Sequence, residues 1–366
     1  MRILIAPDKF AGTLTAAQAA DAIARGWLRR RPDDVVDLCP MSDGGPGFVG
    51  ALNQALGGEL RSVEVPGLAG GMVRADYLLV GSTAYLESAQ AVGLDQQAPT
   101  ERSPMVNSTV GLGLLIRAAL DAGSKRIVVG VGGTATNDGG AGLLAALGAT
   151  ATGARLDAGP AGLSGLQAVD LAAPLQALSG VELVVASDVD TQLLGLIGAT
   201  KTFGPQKGLT EEELLIADAH LQRFAESADR KLATAAGAGA GGGIGYALML
   251  LGGVREPGVA LIAETLVLAE RAASADLVLT GEGSFDFSSR AGKVPYGVAE
   301  VAGAALRPCV VLAGQVLIGS REMRALGIES GYAMTDLVGE ERSFAEPAEA
   351  LADLAERVAR TWALGE

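Results

Sequence analysis

The chain has 366 residues, more than one ordinary compact domain holds, and 49% of them are hydrophobic, which is ample for a sizeable core. Lys and Arg number 28 against 42 Asp and Glu, a formal charge of −14, so the chain lacks the cationic surface that nucleic acid binding requires. Two cysteines (Cys39 and Cys309) and one histidine (His220) leave no disulfide framework and no Cys/His zinc cluster.

Short apolar strands alternate with helical patterns along the chain, the signature of an α/β protein with a largely parallel sheet. RILIAP (2–7) is followed by a helix from Thr15, an N-cap residue, to Arg30, and VVDLCP (35–40) leads to a helix near 46–57. Residues 72–90 read as a hairpin about a Gly-Ser turn. Next come a helix at 108–122, strand RIVVGVGG (126–133), a helix at 139–148 and strand VELVVASD (181–188), with a poorly periodic stretch at 150–180. His220 lies in a long helical pattern and reads as a structural residue. The stretch 233–254 carries no charge, but its first half is nearly all Ala and Gly; it reads as a glycine loop entering a buried helix, not a membrane span. ADLVLTGEG (275–283), a helix near 291–304, RPCVVLAGQ (307–315) and a helix at 345–363 complete the pattern.

Cys39 and Cys309 fall in apolar runs and read as small, reduced core residues, which with the lack of a secretory leader predicts a soluble, cytoplasmic chain. Gly/Pro clusters at 64–72 and 252–258 mark two seams. The expected organisation is two α/β domains. Residues 1–64 plus 258–366 form a discontinuous, doubly wound, mostly parallel domain, and 65–257 an inserted mixed α/β domain, with the active site in the cleft between them.

SDGGPGFVGAL (42–52) and NDGGAGLLAAL (137–147) share Asp-Gly-Gly-x-Gly before an apolar helix, and GAGAGGGIGYALM (237–249) is a third glycine-rich helix entry. Backbone N–H groups at such entries make anion sites. Neither GxxxxGK[ST] nor a dinucleotide GxGxxG fingerprint is present. Acids recur at strand ends: Asp8, Asp43, Asp138, Asp188 with Asp190, and Glu282 with Asp286. Such a cluster calls for a hard cation, Mg²⁺ above all. Of only six lysines, Lys9, Lys201, Lys207 and Lys293 fall in glycine-punctuated loops. Carboxylates, lysines and helix N-termini together are the equipment of phosphoryl transfer.

The segments IAPDKFAGTLTA, SDGGPG, NSTVGLG, GVGGTATNDGGAG, ASDVDTQLLG, FGPQKG, GAGAGGGIG and LTGEGSFDFSSRAGKVPYGVA, in that order, resemble the bacterial glycerate kinases of the glycerate 2-kinase type, from the first strand to about residue 315. The resemblance implies a two-domain α/β fold with a flavodoxin-like domain and ATP- and Mg²⁺-dependent phosphorylation of D-glycerate, generally at the 2-hydroxyl; the chain itself is expected to be a monomer or homodimer. ATP is then expected over the glycine loops, with Gly132, Gly133, Gly239, Gly241 and Gly242 near its phosphates and Lys9, Asn137 and Glu282 assisting. Asp188, with Asp190, would hold Mg²⁺ or accept the hydroxyl proton. Lys207 and Lys293 would neutralise phosphate or bind the glycerate carboxylate, and Asp43, Asp138 and Asp286 are further metal or base candidates. The chain departs from the family pattern at Ala11, where Lys is usual, at Pro46 and Leu114, where Glu is usual, and at Ser284, where Arg is usual. Those departures motivate two alternatives: a silent paralogue that binds a nucleotide or small acid, or a kinase for another small hydroxy acid.

Overall fold

The computed structural model describes residues 1–98, 104–286 and 292–362. In chain order, the strands of its two main sheets are β1 (Arg2–Ile5), β2 (Val35–Leu38), β3 (Glu59–Pro66), β4 (Met72–Val80), β5 (Thr83–Glu87), β6 (Arg126–Gly130), β7 (Glu182–Ala186), β8 (Val254–Glu256), β9 (Leu277–Thr280), β10 (Cys309–Ala313) and β11 (Ser330–Ala333). The helices used below are α1 (Ala16–Arg30), α2 (Val110–Asp121), α3 (Ala141–Ala146), α4 (Ala199–Lys207), α5 (Glu211–Ser227), α6 (Ala240–Leu250), α7 (Val294–Ala304) and α8 (Pro347–Thr361). The fold is α/β, and the chain divides into two compact units: Met1–Asp43, Gly50–Gly57 and Pro257–Glu366 in one, Gly44–Val49 and Gly58–Glu256 in the other.

The first unit has a five-stranded sheet in the order β11-β10-β9-β1-β2, every pair parallel. Its central strands β1, β9 and β10 are buried on both faces (Ile3, Leu4 and Ile5 are all fully covered), which is why they read as unbroken apolar runs rather than alternations. Thr15 caps α1, as the sequence predicts, and the structure adds a capping box with Gln18. α1 and α8 cover one face, burying Trp27, Leu354 and Val358 against Ile3, Ile5, Leu279 and Leu312. The chain runs from β1 outward to β2 and later returns to β9, β10 and β11 on the other side of β1. The direction of winding therefore reverses between β1 and β9, and the C-terminal ends of those strands flank the crevice where doubly wound sheets take ligands.

The second unit has a mixed sheet in the order β8-β7-β6-β5-β4-β3. The β3–β4 and β4–β5 pairs are antiparallel; the β5–β6, β6–β7 and β7–β8 pairs are parallel. The expected hairpin is β4–β5 about Gly81 and Ser82, but its second arm ends at Glu87 and residues Ser88–Val92 turn helical. β3 has no apolar signature because most of its side chains stay exposed or half-exposed. The poorly periodic stretch holds a small ladder of Thr150–Thr152 against Ala168–Asp170 and short helices.

KTFGPQKG, read as a loop bearing Lys201 and Lys207, forms most of α4. Gly204 is needed because a Cβ there would collide with Leu214 and Leu209. Gly208, left-handed at φ 101°, ends the helix with N–H bonds from Gly208 and Leu209 back to the Gly204 carbonyl. No helix among the described residues is long and apolar enough to cross a membrane. Cys39 and Cys309 are both buried, which pushes their thiols up to about 11 and about 12. His220 is half-buried and donates from Nδ1 to the Pro160 carbonyl at 2.9 Å.

Candidate active site

In the first unit, loops leaving the C-terminal ends of β1, β2 and β9 bring together Asp8 and Lys9, Asp43, and Glu282. Lys9 Nζ lies 3.4 Å from Asp43 Oδ1 and 3.8 Å from Asp8 Oδ1. Lys293, at the N-cap of α7, places Nζ 3.6 Å from Glu282 Oε2. Three acids thus share two lysines. Burial pushes the Asp8 carboxyl up to about 7; Lys9 opposes the rise, and the negative charges of Asp43 and Glu282 add to it. Asp286 is half-buried at the end of the short strand Ser284–Phe285, and the FSSRA part of the late motif (287–291) lies outside the described residues.

Between pH 4 and pH 7 folded Asp8 keeps a proton that the unfolded chain releases, so this contribution is full below about pH 4 and lost as pH rises through 7. Asp8→Asn is therefore expected to stabilise the protein at pH 8 by on the order of 4 kcal/mol and to do little at pH 4. Urea unfolding at the two pH values checks this; equal effects at both would remove Asp8 from the account.

In the second unit the loop after β6, residues 131–140, is buried almost throughout. Asp138 is fully buried and accepts four bonds: Thr109 N and Oγ1 at 2.9 Å each, Gly140 N at 2.9 Å and Gly142 N at 3.2 Å. The carboxylate thereby ties the start of α3 to Thr109, the residue before α2. Burial raises its pKa and these four donors pull it back. Asn137 donates to Thr200 Oγ1 at 3.0 Å, leaving its buried Oδ1 without a partner, as are the buried hydroxyls of Thr134 and Thr136.

Lys207 enters this layer from the last turn of α4. It is 3% exposed, its Nζ donates to the Thr136 carbonyl at 2.6 Å, and burial pushes its pKa down to about 7 against the pull of Asp138. A scarcely solvated amine beside unpartnered oxygens suits a small acid bearing hydroxyls: the acid's charge would favour the ammonium form, and its hydroxyls would donate to the free acceptors.

The glycines have a different explanation. A Cβ on Gly132 would meet Gly45, on Gly133 the Pro46 ring, on Gly239 the Gln192 carbonyl and on Gly242 the Thr136 carbonyl. Gly241, Gly242 and Gly243 have φ of 63°, 74° and 97°, so regular helix begins only at Ile244. Close backbone packing accounts for these residues without a phosphate. Asp188 follows β7 half-buried, whereas Asp190 is exposed and pairs with Arg255 at 2.8 Å. Leu114 packs against the core of this unit. Thr134 and Thr136 are not among the residues expected at the site, and Asp8 is expected only at a strand end; the two threonine hydroxyls inside GGTATNDGG are the signal available in the sequence.

The chain matches the model of the glycerate kinase family over residues 3–363. The chain belongs to the glycerate kinase family. It is similar to glycerate kinase of Bacillus subtilis strain 168, 38% identical over 91% of this chain and 90% of that one. It is similar also to glycerate 2-kinase of Escherichia coli K12, 36% identical over 93% of this chain and 92% of that one. Its fold matches a crystal structure described as glycerate kinase 2 from Salmonella typhimurium LT2, with a TM-score of 0.82 and 38% identity over 100% of this chain and 99% of the other. The match thus takes in every cluster described above.

Proposed function

We propose that this glycerate kinase family member transfers the γ-phosphoryl group of ATP to D-glycerate at the 2-hydroxyl, with Mg²⁺ assisting. The observation that carries the reading is Lys207: a buried amine whose pKa burial pushes down to about 7, bonded to the carbonyl of Thr136, a residue whose own hydroxyl is buried without a partner. A three-carbon acid with two hydroxyls matches that inventory, and each group it brings offsets a desolvation cost already present.

Asp188 is assigned the acceptor-hydroxyl proton. Its half-buried carboxylate needs only reach and alignment, since phosphoryl transfer depends little on strong deprotonation. As the hydroxyl oxygen bonds to phosphorus, the bond to the β-phosphate oxygen breaks and ADP carries the electron pair away. Lys207 holds the glycerate carboxylate, while Lys9 and Lys293 neutralise donor phosphates. One or two carboxylates of the first unit's cluster would hold Mg²⁺. Among the described residues no group of three His, Cys, Asp or Glu side chains can hold a metal unaided. Asp8, Asp43 and Glu282 nonetheless fit that role: they are hard oxygen donors whose mutual repulsion a cation relieves. Bound Mg²⁺ would supply charge neutralisation at the transferring phosphoryl group.

Asp188→Asn is expected to lower glycerate-dependent ADP release about 10²-fold with little change in either KM. A coupled assay reads this directly, and unchanged turnover would take Asp188 out of the chemistry.

A further inference from the structure

The first unit carries a cavity that this chemistry leaves unused. About 500 Å³ in volume, it opens where the chain leaves β1, β9, β10 and β11, so it lies at the C-terminal edge of the sheet and takes in the crevice where the winding reverses. Its walls include Phe10, Ala11, Gln315, Thr335, Glu340 and Phe344. No lysine, arginine or histidine is among the described lining residues, and Glu340 is their one acid. Anions are therefore poorly served there. Glycerate, with seven heavy atoms, is also far too small, since cavities of this size bury drug-sized ligands. What the walls provide is aromatic and aliphatic surface interrupted by hydroxyls and an amide, the lining that recognises a neutral heterocycle with polar edges. Phe344 is 63% exposed, an uncovered aromatic face in the wall of a cavity.

Position sets the orientation. Phe10 directly follows Asp8 and Lys9, and Gly283 directly follows Glu282, so the charged cluster borders the neutral cavity along two separate loops. A ligand that fits this pair of surfaces is uncharged at one end and polyanionic at the other.

Resting on the kinase reading above, we infer that this cavity receives the purine nucleoside of the phosphoryl donor. The base stacks on Phe344 and the phosphates run toward Lys9, Lys293 and the three acids. This places the nucleotide in the first unit rather than over the glycine loops of the second.

Two variants and two ligands test it. Ala11→Trp fills an exposed position on the cavity wall, and Phe344→Ala removes the stacking face without touching the core. Each is expected to raise KM for ATP about tenfold, the equivalent of one lost aromatic contact and its buried area, with KM for glycerate changed less than about twofold. Adenosine alone, titrated by calorimetry, is expected to bind the wild-type protein and to lose about tenfold in affinity in both variants. Adenosine binding that is absent, or unaltered in both variants, overturns the inference; so does a rise in KM for glycerate in place of ATP. If no glycerate is phosphorylated but adenosine still binds and responds to the variants, the kinase reading fails and the nucleoside site stands.

Discussion

Lys207→Met is expected to lower glycerate-dependent phosphorylation about 10³-fold and, at the same time, to stabilise the protein at pH 6. The two effects have one origin. Folding removes the Lys207 amine from water and lowers its pKa from 10.5 to about 7, a difference on the order of 4–5 kcal/mol between its protonation states. Between pH 7 and pH 10.5 the unfolded chain holds a proton that the folded chain does not, so stability rises with pH across that window. Below pH 7 the full cost of burying the ammonium is in place. Methionine fills a similar volume without the charge. It forfeits only the bond to the Thr136 carbonyl, about 1–3 kcal/mol with its buried acceptor left unmet. A net gain of about 1–4 kcal/mol is expected at pH 6, vanishing or reversing near pH 10. Urea unfolding at the two pH values, alongside steady-state kinetics, measures both halves. Retained activity, or a destabilised variant at pH 6, would make Lys207 a structural residue. Glycerate binding near pH 8 is likewise expected to be accompanied by proton uptake, which calorimetry in buffers of different ionisation enthalpy detects.

The largest loss of stability is expected from Asp138→Ala. The substitution leaves the N–H groups of Thr109, Gly140 and Gly142 and the Thr109 hydroxyl without their acceptor inside the protein. At about 1–3 kcal/mol for each buried donor, and allowing for partial relaxation, the cost exceeds about 4 kcal/mol, a large share of a domain's total stability. Asp138→Asn keeps one acceptor oxygen but sets an N–H group against backbone donors, so an intermediate loss is expected. Denaturant unfolding checks the order Asp > Asn > Ala. Full stability in Asp138→Ala together with abolished turnover would instead give this carboxylate a chemical role.

Much of the fold was legible in the sequence because doubly wound sheets write themselves as apolar runs punctuated by Gly and Asp, as at Ile3–Ile5 and Leu277–Thr280. β3 was not legible: a strand whose side chains mostly face outward has no apolar pattern to read. α4 was hidden by Gly204 and Pro205, residues that break isolated helices but are held here by a close contact and a glycine cap. The candidate site divides in the same way. Strand-end position singled out Asp43, Asp188 and Glu282, since β-strand termini can be located from local pattern alone. The orphaned Thr134 and Thr136 hydroxyls were invisible because their condition depends on what surrounds them: Lys207, which meets Thr136, lies 71 residues away. Glycine-rich loops were ambiguous for a physical reason, because a phosphate and a neighbouring backbone impose the same requirement for a missing Cβ.

The most direct test of the account is to incubate the protein with D-glycerate, ATP and Mg²⁺ and to follow the mixture by proton-coupled phosphorus NMR. The account predicts ADP and a new phosphomonoester signal split into a doublet by the single hydrogen on carbon 2, with no product when EDTA is in excess. A triplet, from phosphate on the carbon-3 methylene, would contradict the assigned hydroxyl, and folded protein that forms no phosphorylated glycerate at all would contradict the function itself.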